Sequence, residues 1–350
     1  MQAKLSRYLP KYLFIIFFSF IFLGCVSTNI IYEYTNIPSE KEIEHIEPSI
    51  RYKLLASLIK SMDGKSIWGQ DAEQMAEYFT NLDQSKRLII PNKIKKLNLF
   101  ETKINNRPCY FVAPKSNQRN DKVVLFLHGG GFVFEIDFFH WDVVEKIVNK
   151  LSVPVFVPMY PVYPENNPDD LMNFVIDAYT KLRMNFPNAE ITVLGDSSGA
   201  DLALSLCHYL IGENIDLPLP DKIICVSPAM LFELDDETIA DMKKIEPEDV
   251  VFSIEMMESL PTLFDLSADS VKYFATPLYG DFAKFPPMYV FSGTAEIFYP
   301  QIPPFVEHVK EQGKDIEFYT GYKLMHGWPF MPLAPESKKG FSIILDIIAK

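Results

Sequence analysis

The sequence predicts an α/β protein with a mostly parallel central sheet, helices on both faces of that sheet and a helical cap. After Asp121, short apolar runs alternate with helical patterns, which is the order that parallel strands and crossover helices produce. Residues 190–206, EITVLGDSSGADLALSL, combine a buried strand, a sharp turn and an apolar helix. Between about residues 230 and 269 the alternation stops in an acidic, Met-rich, helix-prone segment, which we interpret as a cap insertion over the carboxyl ends of the strands.

Composition limits the class of protein. The 350 residues are 48% hydrophobic and 23% charged, which is ordinary for a globular protein with a full core. The net charge is -13 and there is no basic patch, so nucleic-acid binding has no electrostatic basis. Four cysteines are too few for a disulfide framework in a chain of this length.

The amino terminus has the features of a secretory signal. Lys4, Arg7 and Lys11 precede an uncharged and strongly apolar run from Leu13 to Leu23. A basic region, an apolar region and a small residue before the cleavage point are the parts of a signal peptide, which we place at residues 1–24.

The end of this apolar run, Phe22-Leu23-Gly24-Cys25, resembles the lipobox of bacterial lipoproteins. The resemblance implies cleavage before Cys25 and acylation of this residue, and two or three acyl chains anchor a protein stably. Residues 25–49 would then be a lipidated tether, and the rest of the chain would lie outside the cytoplasm on a bacterial membrane. An uncleaved membrane anchor is the alternative, because no charge lies between Leu13 and Tyr32.

Two further regions follow the tether. Residues 50–95 carry apolar side chains at helical spacing and predict an N-terminal helical cap. Residues 96–350 form the predicted catalytic domain, which begins with a hairpin from Lys96 to Pro114 that turns at residues 105–107. The later strands are predicted at Val123–Leu127, Val153–Pro158, Ile191–Leu194, Ile223–Val226, Met288–Phe291 and Ile316–Tyr319, and the later helices at Trp141–Leu151, Asp169–Asn185, after Gly199, and from about Gln301 and Ser337.

The turn Gly195-Asp196-Ser197-Ser198-Gly199 predicts a nucleophile. A G-x-S-x-G sequence between a strand and a helix is typical of a nucleophile elbow, which holds the serine hydroxyl out at the end of a sheet. Side chains at the two glycine positions would collide with the neighbouring strand and helix. The positive end of the helix dipole also favours negative charge beside Ser197. A Ser-Gly-rich loop without chemistry is the alternative interpretation.

A glycine-rich loop predicts the oxyanion hole. The strand Val123–Leu127 runs directly into His128-Gly129-Gly130-Gly131-Phe132, where backbone N–H groups can converge without obstruction. We expect the donors to be the N–H groups of Gly129, Gly130 and Ser198. A phosphate-binding loop is disfavoured, since neither GxxxxGK[ST] nor GxGxxG is present.

The expected base and acid follow the serine in chain order. His326 lies just beyond the last strand, where a loop can return it to Ser197, whereas His140 precedes the serine. Glu296 follows the Met288–Phe291 strand at its carboxyl end, where a carboxylate can hold the imidazole. Asp281 and Asp315 are rival acids at less suitable positions.

These motifs together resemble the hormone-sensitive-lipase-like branch of the α/β-hydrolases. The resemblance implies an α/β-hydrolase fold and a serine carboxylesterase for short acyl (acetyl-like) esters, which acts through an acyl-enzyme, has a helical cap over the acyl pocket and needs no metal or cofactor. Departures from the family pattern are Ser198 for Ala, Glu296 for Asp and Trp328 for Phe. The motifs that carry the resemblance are His128–Phe132, Tyr160–Glu165, Gly195–Gly199, Thr276–Asp281 and Met325–Trp328.

Two other functions fit the same fold. One is a catalytically inactive α/β-hydrolase that binds a small molecule. Plant gibberellin receptors, which resemble the family, keep the pocket and lack the triad histidine, whereas His326 is present here. A peptidase is disfavoured by the HGGG sequence and by the lack of a large accessory domain. The expected partner is therefore a small-molecule ester, whose acyl and alcohol parts the sequence does not name, as it does not name the oligomeric state.

Overall fold

The computed structural model describes residues 47–83, 89–165, 167–229, 234–264 and 280–350. Its eight-stranded sheet has the order β1-β2-β4-β3-β5-β6-β7-β8. β1 pairs antiparallel with β2 and β2 pairs antiparallel with β4, while every pair from β4 to β8 is parallel. The strands are β1 (Asn98–Ile104), β2 (Arg107–Ala113), β3 (Lys122–Leu127), β4 (Val155–Pro158), β5 (Glu190–Asp196), β6 (Lys222–Val226), β7 (Met288–Gly293) and β8 (Ile316–Gly321).

Helices cover both faces of this sheet, which confirms the predicted mostly parallel α/β architecture. The described helices are α1 (Ile50–Ser61), α2 (Lys65–Trp68), α3 (Ala72–Thr80), α4 (Asn92–Lys95), α5 (Phe138–Leu151), α6 (Pro168–Asn185), α7 (Ser198–Gly212), α8 (Asp236–Ile245), α9 (Met256–Leu263), α10 (Ile302–Glu311) and α11 (Pro335–Ala349). The buried apolar side chains form two clusters, one on each face of the sheet. One cluster includes side chains of α6 and α7, and the other includes side chains of α5 and α11.

The central strands are buried along their whole length. All six residues of β3 are buried, as are all five of β6. A strand that is covered on both faces carries a continuous apolar run instead of an alternating one, which is why Val123–Leu127 is readable from sequence. The hairpin of β1 and β2 turns at Asn105 and Asn106, both with positive φ, as a two-residue hairpin loop requires.

Helix α5 begins three residues earlier than the apolar periodicity predicts. Asp137 caps it, since its carboxylate accepts hydrogen bonds from the N–H groups of Phe139 and His140. This cap draws residues 138–140 into the helix. Helix α11 likewise begins at Pro335 and not at Ser337, because proline suits the first position of a helix.

The parallel strands deliver the predicted site residues to one edge of the sheet. Carboxyl ends of adjacent parallel strands lie side by side, which is where α/β proteins bind ligands. β3 leads into the glycine loop, β5 into Ser197, β7 into the Glu296 turn and β8 into the His326 loop.

Helical segments before and within the catalytic region also meet. Helix α3 packs against α9, which lies in the stretch interpreted as a cap insertion. The signal peptide, Cys25, the tether up to residue 46 and the Thr276–Tyr279 part of one family motif lie outside the described residues. None of the described helices combines the length and the apolar character that a membrane-spanning segment needs.

Candidate active site

Ser197 occupies a strained turn between β5 and α7. Its φ is 52° and its ψ is -126°, a conformation that residues with a side chain rarely adopt. The turn is held because the Ser197 N–H donates to the Val226 carbonyl at 2.8 Å, extending the β5–β6 ladder. The serine is 7% exposed. Backbone strain at a buried serine, held by the sheet, is the geometry of a nucleophile elbow.

The two glycines of the turn are required by close packing. A Cβ on Gly195 would lie 2.5 Å from the Ala200 Cα, and a Cβ on Gly199 would lie 2.5 Å from the His128 carbonyl oxygen. These obstacles are backbone atoms, which cannot rotate away. The absence of side chains lets α7 start directly under the sheet edge and sets Ser198 at the first position of the helix.

Glu296 and His326 form a buried pair. The His326 Nδ1 lies 2.7 Å from the Glu296 Oε2, and Glu296 is 0% exposed. The other carboxylate oxygen, Oε1, accepts a short hydrogen bond from the Ser292 hydroxyl and one of 3.0 Å from the Gly293 N–H. Burial opposes the charged form of His326, but the Glu296 carboxylate outweighs it, so that the pKa of His326 is raised above its ordinary value.

The loop that carries His326 is bonded next to the elbow. The N–H of Gly327, which has a φ of 67°, donates to the Ser227 hydroxyl at 2.9 Å. Ser227 directly follows Val226, the residue whose carbonyl holds Ser197. The His326 Nε2 has no hydrogen-bond partner in the described part of the chain, so the Ser197–His326 hydrogen bond is not formed in this structure. Catalytic hydrogen bonds of this kind commonly tighten only when substrate binds.

The glycine loop after β3 has a backbone that only glycine adopts readily. Gly130 has a φ of 126° and Gly131 a φ of 61°, and the Gly130 carbonyl accepts hydrogen bonds from the N–H groups of Val133 and Phe134. Within the described ranges, the N–H groups of Gly130 and Ser198 donate to no protein acceptor. These two of the three predicted oxyanion donors are therefore available to a substrate oxygen.

The third predicted donor, Gly129, lies beside a charged histidine. Its backbone nitrogen is 3.3 Å from the His140 Nε2, which lies 3.0 Å from the Asp196 Oδ2, while the His140 Nδ1 lies 2.9 Å from the Asp137 Oδ1. Burial opposes protonation of His140, but the two carboxylates outweigh it and raise its pKa to about 10. An imidazolium donates from both nitrogens and accepts nothing. In this protonated form His140 accepts no hydrogen bond from Gly129, although the Gly129 N–H is directed towards its Nε2.

His140 lies beside the candidate site, next to Asp196, which the sequence pattern does not reveal because His140 precedes the serine in the chain. The signal that could have found it is the spacing of Asp137 and His140, a helix cap with a titratable side chain at its third position. The cap brings the imidazole beneath Asp196, whose carboxylate also fills the space beside Gly129, with the Oδ2 2.8 Å from where a Cβ would be.

Asp249 is a second residue missed by sequence reasoning. It is 1% exposed and lies in the stretch interpreted as a cap insertion. Its carboxylate accepts hydrogen bonds from the N–H groups of Val251, Phe252 and Ile297, the last at 2.8 Å and directly after Glu296. Burial raises the pKa of Asp249 against the effect of these hydrogen bonds. Asp249 therefore joins the segment around residues 249–252 to the turn that holds the candidate acid.

Aromatic side chains from the N-terminal helices, from the glycine loop and from Phe252 lie over the candidate site. Trp68 packs against Phe79, Phe134 and Phe252, and its Cη2 lies 2.7 Å from where a Cβ of Gly131 would be. The Phe252 ring meets the His326 ring edge-on, with 4.7 Å between their centroids. Apolar side chains thus form a wall beside both the glycine loop and His326.

Other reactive groups offer no competing centre. Among the described residues, no group of three His, Cys, Asp or Glu side chains could hold a metal ion. Cys109, Cys207 and Cys225 are buried free thiols. Burial raises the pKa of each, to about 11 for Cys109, so they are poor nucleophiles.

Similarity to known proteins covers the strands and loops that build this site. A family model described as alpha/beta hydrolase fold matches residues 124–330, more than half of the chain. An acetyl-hydrolase of Streptomyces hygroscopicus is 21% identical over 228 residues, 65% of this chain and 75% of the relative. An esterase of Acinetobacter venetianus is 24% identical over 250 residues, 66% of this chain and 76% of the relative.

Solved structures share the whole architecture. A candidate esterase from Staphylococcus aureus superposes with a TM-score of 0.73 at 25% identity, covering 82% of this chain and 96% of the other. An esterase from the bacterial hormone-sensitive lipase family gives a TM-score of 0.68 at 21% identity, covering 87% and 99%. At 21% identity, the similarity to the second structure concerns the fold alone, and this fold is the predicted α/β-hydrolase fold.

Proposed function

The chain belongs to the alpha/beta hydrolase fold family, and on this premise we propose that it is a serine carboxylesterase of the hormone-sensitive-lipase-like branch that forms an acyl-enzyme on Ser197. The observation that carries the proposal is the buried contact between the His326 Nδ1 and Glu296 at 2.7 Å, on a loop bonded beside the strained serine. This contact orients the imidazole and leaves its Nε2 free of protein partners in the described part of the chain. The names of the relatives, acetyl-hydrolase and esterase, support carboxylic ester hydrolysis.

In the proposed reaction His326 acts first as general base and then as general acid, and Glu296 supports it in both roles. His326 takes the hydroxyl proton of Ser197 while the serine oxygen attacks the ester carbonyl, and Glu296 stabilises the imidazolium that forms. Collapse of the tetrahedral intermediate breaks the bond to the alcohol, which leaves with the proton from His326. Water then attacks the acyl-enzyme by the same route and releases the acid.

The oxyanion would be stabilised by backbone N–H groups of the glycine loop and of α7. The candidates are Gly129, Gly130 and Ser198, and loss of one such donor costs roughly 10²–10³ in rate. Ser198 also lies at the first position of α7, so the helix dipole adds to the field at the oxyanion.

Short acyl groups are the proposed substrates. Support comes from the aromatic wall of Trp68, Phe134 and Phe252, which limits the space over Gly131 and His326, and from the acetyl-hydrolase among the relatives. An acyl-length series of p-nitrophenyl esters tests this point. Highest kcat/KM for acetate or butyrate is expected, and a maximum at long chains would contradict it.

The proposed location is the outer side of a bacterial membrane, with an acyl anchor at Cys25. The basic and apolar segments before Phe22-Leu23-Gly24-Cys25 support a lipoprotein signal. Metabolic labelling with an alkyne-modified palmitate should mark the wild-type chain and not the Cys25→Ser variant. Membrane association without any label would favour the uncleaved anchor instead.

Covalent labelling tests the catalytic assignment most directly. A fluorophosphonate reacts only with an activated serine, so the wild-type protein should be labelled, and Ser197→Ala should lose both the label and the hydrolysis of p-nitrophenyl acetate while remaining folded. Ser205→Ala, a change to a buried serine of the same helix region, is the matched control and should retain both. An unlabelled wild-type protein that binds esters without cleaving them would favour the inactive binding protein.

A further inference from the structure

Helix α1 has apolar side chains on two opposite faces. Tyr52 and Leu55 are buried on the inner face, whereas Ile50 and Leu54 are 70% and 50% exposed. Residues four apart lie on the same side of a helix, so Ile50, Leu54 and the partly exposed Leu58 form one outward stripe. We call these three side chains the outer stripe. Packing against the core accounts for the apolar residues of the inner face, but it does not account for those of the outer stripe.

Basic residues flank the outer stripe. The helix, IRYKLLASLIKS, contains Arg51, Lys53 and Lys60 and no acidic residue. At 100° per residue, Arg51 lies on one side of the stripe and the two lysines lie on the other. All three are exposed. Lys53 is paired with Glu47 at 2.9 Å, just before the helix, whereas Arg51 and Lys60 form no ion pair within the described part of the chain. These two positive charges contrast with a net charge of -13 for the whole chain, so the surface of α1 differs in both polarity and sign from the average surface.

We propose that the outer stripe of α1 binds the surface of an anionic lipid bilayer. An apolar stripe with cations along both edges is the pattern of a helix that lies in the plane of a membrane interface, with its apolar side chains among the acyl chains and its cations at the headgroups. The charge argues for anionic lipid, since each basic residue near such a surface strengthens binding about five-fold.

The position of the helix in the chain supports a bilayer as the occupant. Ile50 lies 25 residues after Cys25 by sequence number, and a chain of that length spans at most about 85 Å. On the basis of the proposed anchor, a chain held at Cys25 keeps α1 near the bilayer at a high effective concentration. Modest intrinsic affinity of the outer stripe is then enough for binding.

The helix is joined firmly to the catalytic loop, so binding would orient the enzyme. The Tyr52 hydroxyl accepts a hydrogen bond from the N–H of Met325, the residue before His326. At the start of the helix, the Ser49 N–H and hydroxyl donate to the Glu336 carboxylate at 2.6 and 3.0 Å. The outer stripe and the His326 loop therefore lie on opposite sides of one helix, whose diameter is about 10 Å.

Depth-dependent quenching in vesicles tests the proposal on the full-length protein. A nitrobenzoxadiazole fluorophore is attached at Leu54→Cys, and in a matched control at Met184→Cys, an apolar residue 77% exposed on α6. The protein is placed in vesicles of phosphatidylcholine and phosphatidylglycerol, with doxyl-labelled lipid as quencher. Wild-type protein treated with the dye gives the background from native thiols. Quenching at residue 54 should exceed quenching at residue 184, and should weaken in pure phosphatidylcholine.

Charge removal sharpens the test. In the Leu54→Cys background, Arg51→Gln and Lys60→Gln should each lower the ratio of bound to unbound helix about five-fold. Equal quenching at residues 54 and 184 on protein that remains attached to the vesicles would overturn the proposal and leave the anchor at Cys25 standing. Protection of residue 54 by dimerisation without lipid would overturn it in favour of a second copy of the chain. Hydrolysis of p-nitrophenyl acetate in the same samples reports separately on the esterase proposal.

Discussion

The Nδ1 of His326 lies 2.7 Å from the Oε2 of Glu296, and that carboxylate has no exposed surface. The negative charge is therefore kept beside the imidazole without screening by water. Its effect exceeds the opposing effect of burial and raises the pKa of His326. The extra methylene of glutamate is accommodated because the Ser292 hydroxyl and the Gly293 N–H hold the second oxygen, Oε1.

The first prediction concerns the acid side of the pH profile. The base must be neutral, so a raised pKa of His326 means that kcat/KM is lost, as pH falls, at a pH above the ordinary histidine value of about 6.5. In Glu296→Gln the carboxylate charge is gone, the pKa of His326 falls, and the acid limb moves to lower pH, while the plateau rate drops roughly 10²–10⁴-fold. Profiles of kcat/KM measured on p-nitrophenyl acetate check this. An acid limb at the same pH in both proteins would contradict the assignment of Glu296.

The second prediction concerns His140, whose positive charge lies between Asp137 and Asp196. His140→Gln leaves the Asp196 carboxylate buried without its partner, which should destabilise the protein by about 3 kcal/mol. The uncompensated charge of Asp196 also favours the imidazolium of His326, so the acid limb of kcat/KM should move to higher pH, opposite to the shift in Glu296→Gln.

Thermal unfolding and the pH profile measure the two effects of His140→Gln separately. His308→Gln is the matched control, because this half-buried histidine of α10 contacts Gln312 and the Gly280 carbonyl away from the site. It should leave the acid limb where it is. A loss of stability in His140→Gln without any movement of the limb would reduce His140 to a structural role.

The third prediction concerns the elbow glycines. A Cβ on Gly195 would lie 2.5 Å from the backbone nitrogen and the Cα of Ala200, so Gly195→Ala must displace α7 from the sheet. We expect a loss of at least about 3 kcal/mol of stability, or failure to fold, together with loss of fluorophosphonate labelling. Gly64→Ala is the matched control, since nothing lies within 4 Å of its Cβ and its φ is -59°. Normal labelling and melting of Gly195→Ala would show that the turn can relax.

Much of the fold and of the candidate site follows from local sequence. The buried run of β3, the triple glycine after it and the elbow are each encoded within a few residues, because a covered strand must be apolar and a tight turn must lack side chains. His326 and Glu296 are predicted as base and acid because chain order and strand ends restrict where these groups can lie, and the structure brings the two side chains together at 2.7 Å.

What the sequence could not reveal depends on contacts between distant segments. His140 becomes charged only because α5 brings it to Asp196, 56 residues along the chain. Asp249 reaches the N–H of Ile297 across 48 residues. Tyr52 is one of the apolar side chains at helical spacing in residues 50–95, but its hydroxyl accepts a hydrogen bond from the Met325 N–H, 273 residues along the chain. No local pattern records such pairings.

The fourth prediction concerns the hydrogen bond between the Met325 N–H and the Tyr52 hydroxyl. Tyr52→Phe keeps the ring in the core and removes the oxygen that accepts the Met325 N–H, which then lies buried and unpaired at a cost of about 1–3 kcal/mol. Because Met325 precedes His326, the loop should open more often, the Met325 amide should exchange with solvent faster, and kcat should fall about ten-fold with little change in KM. Leu54→Ala, on the exposed face of the same helix, should change neither kcat nor the exchange rate. If kcat of Tyr52→Phe equals that of the wild type despite faster exchange at Met325, helix α1 supports stability only and the His326 loop is positioned by Gly327 and Ser227.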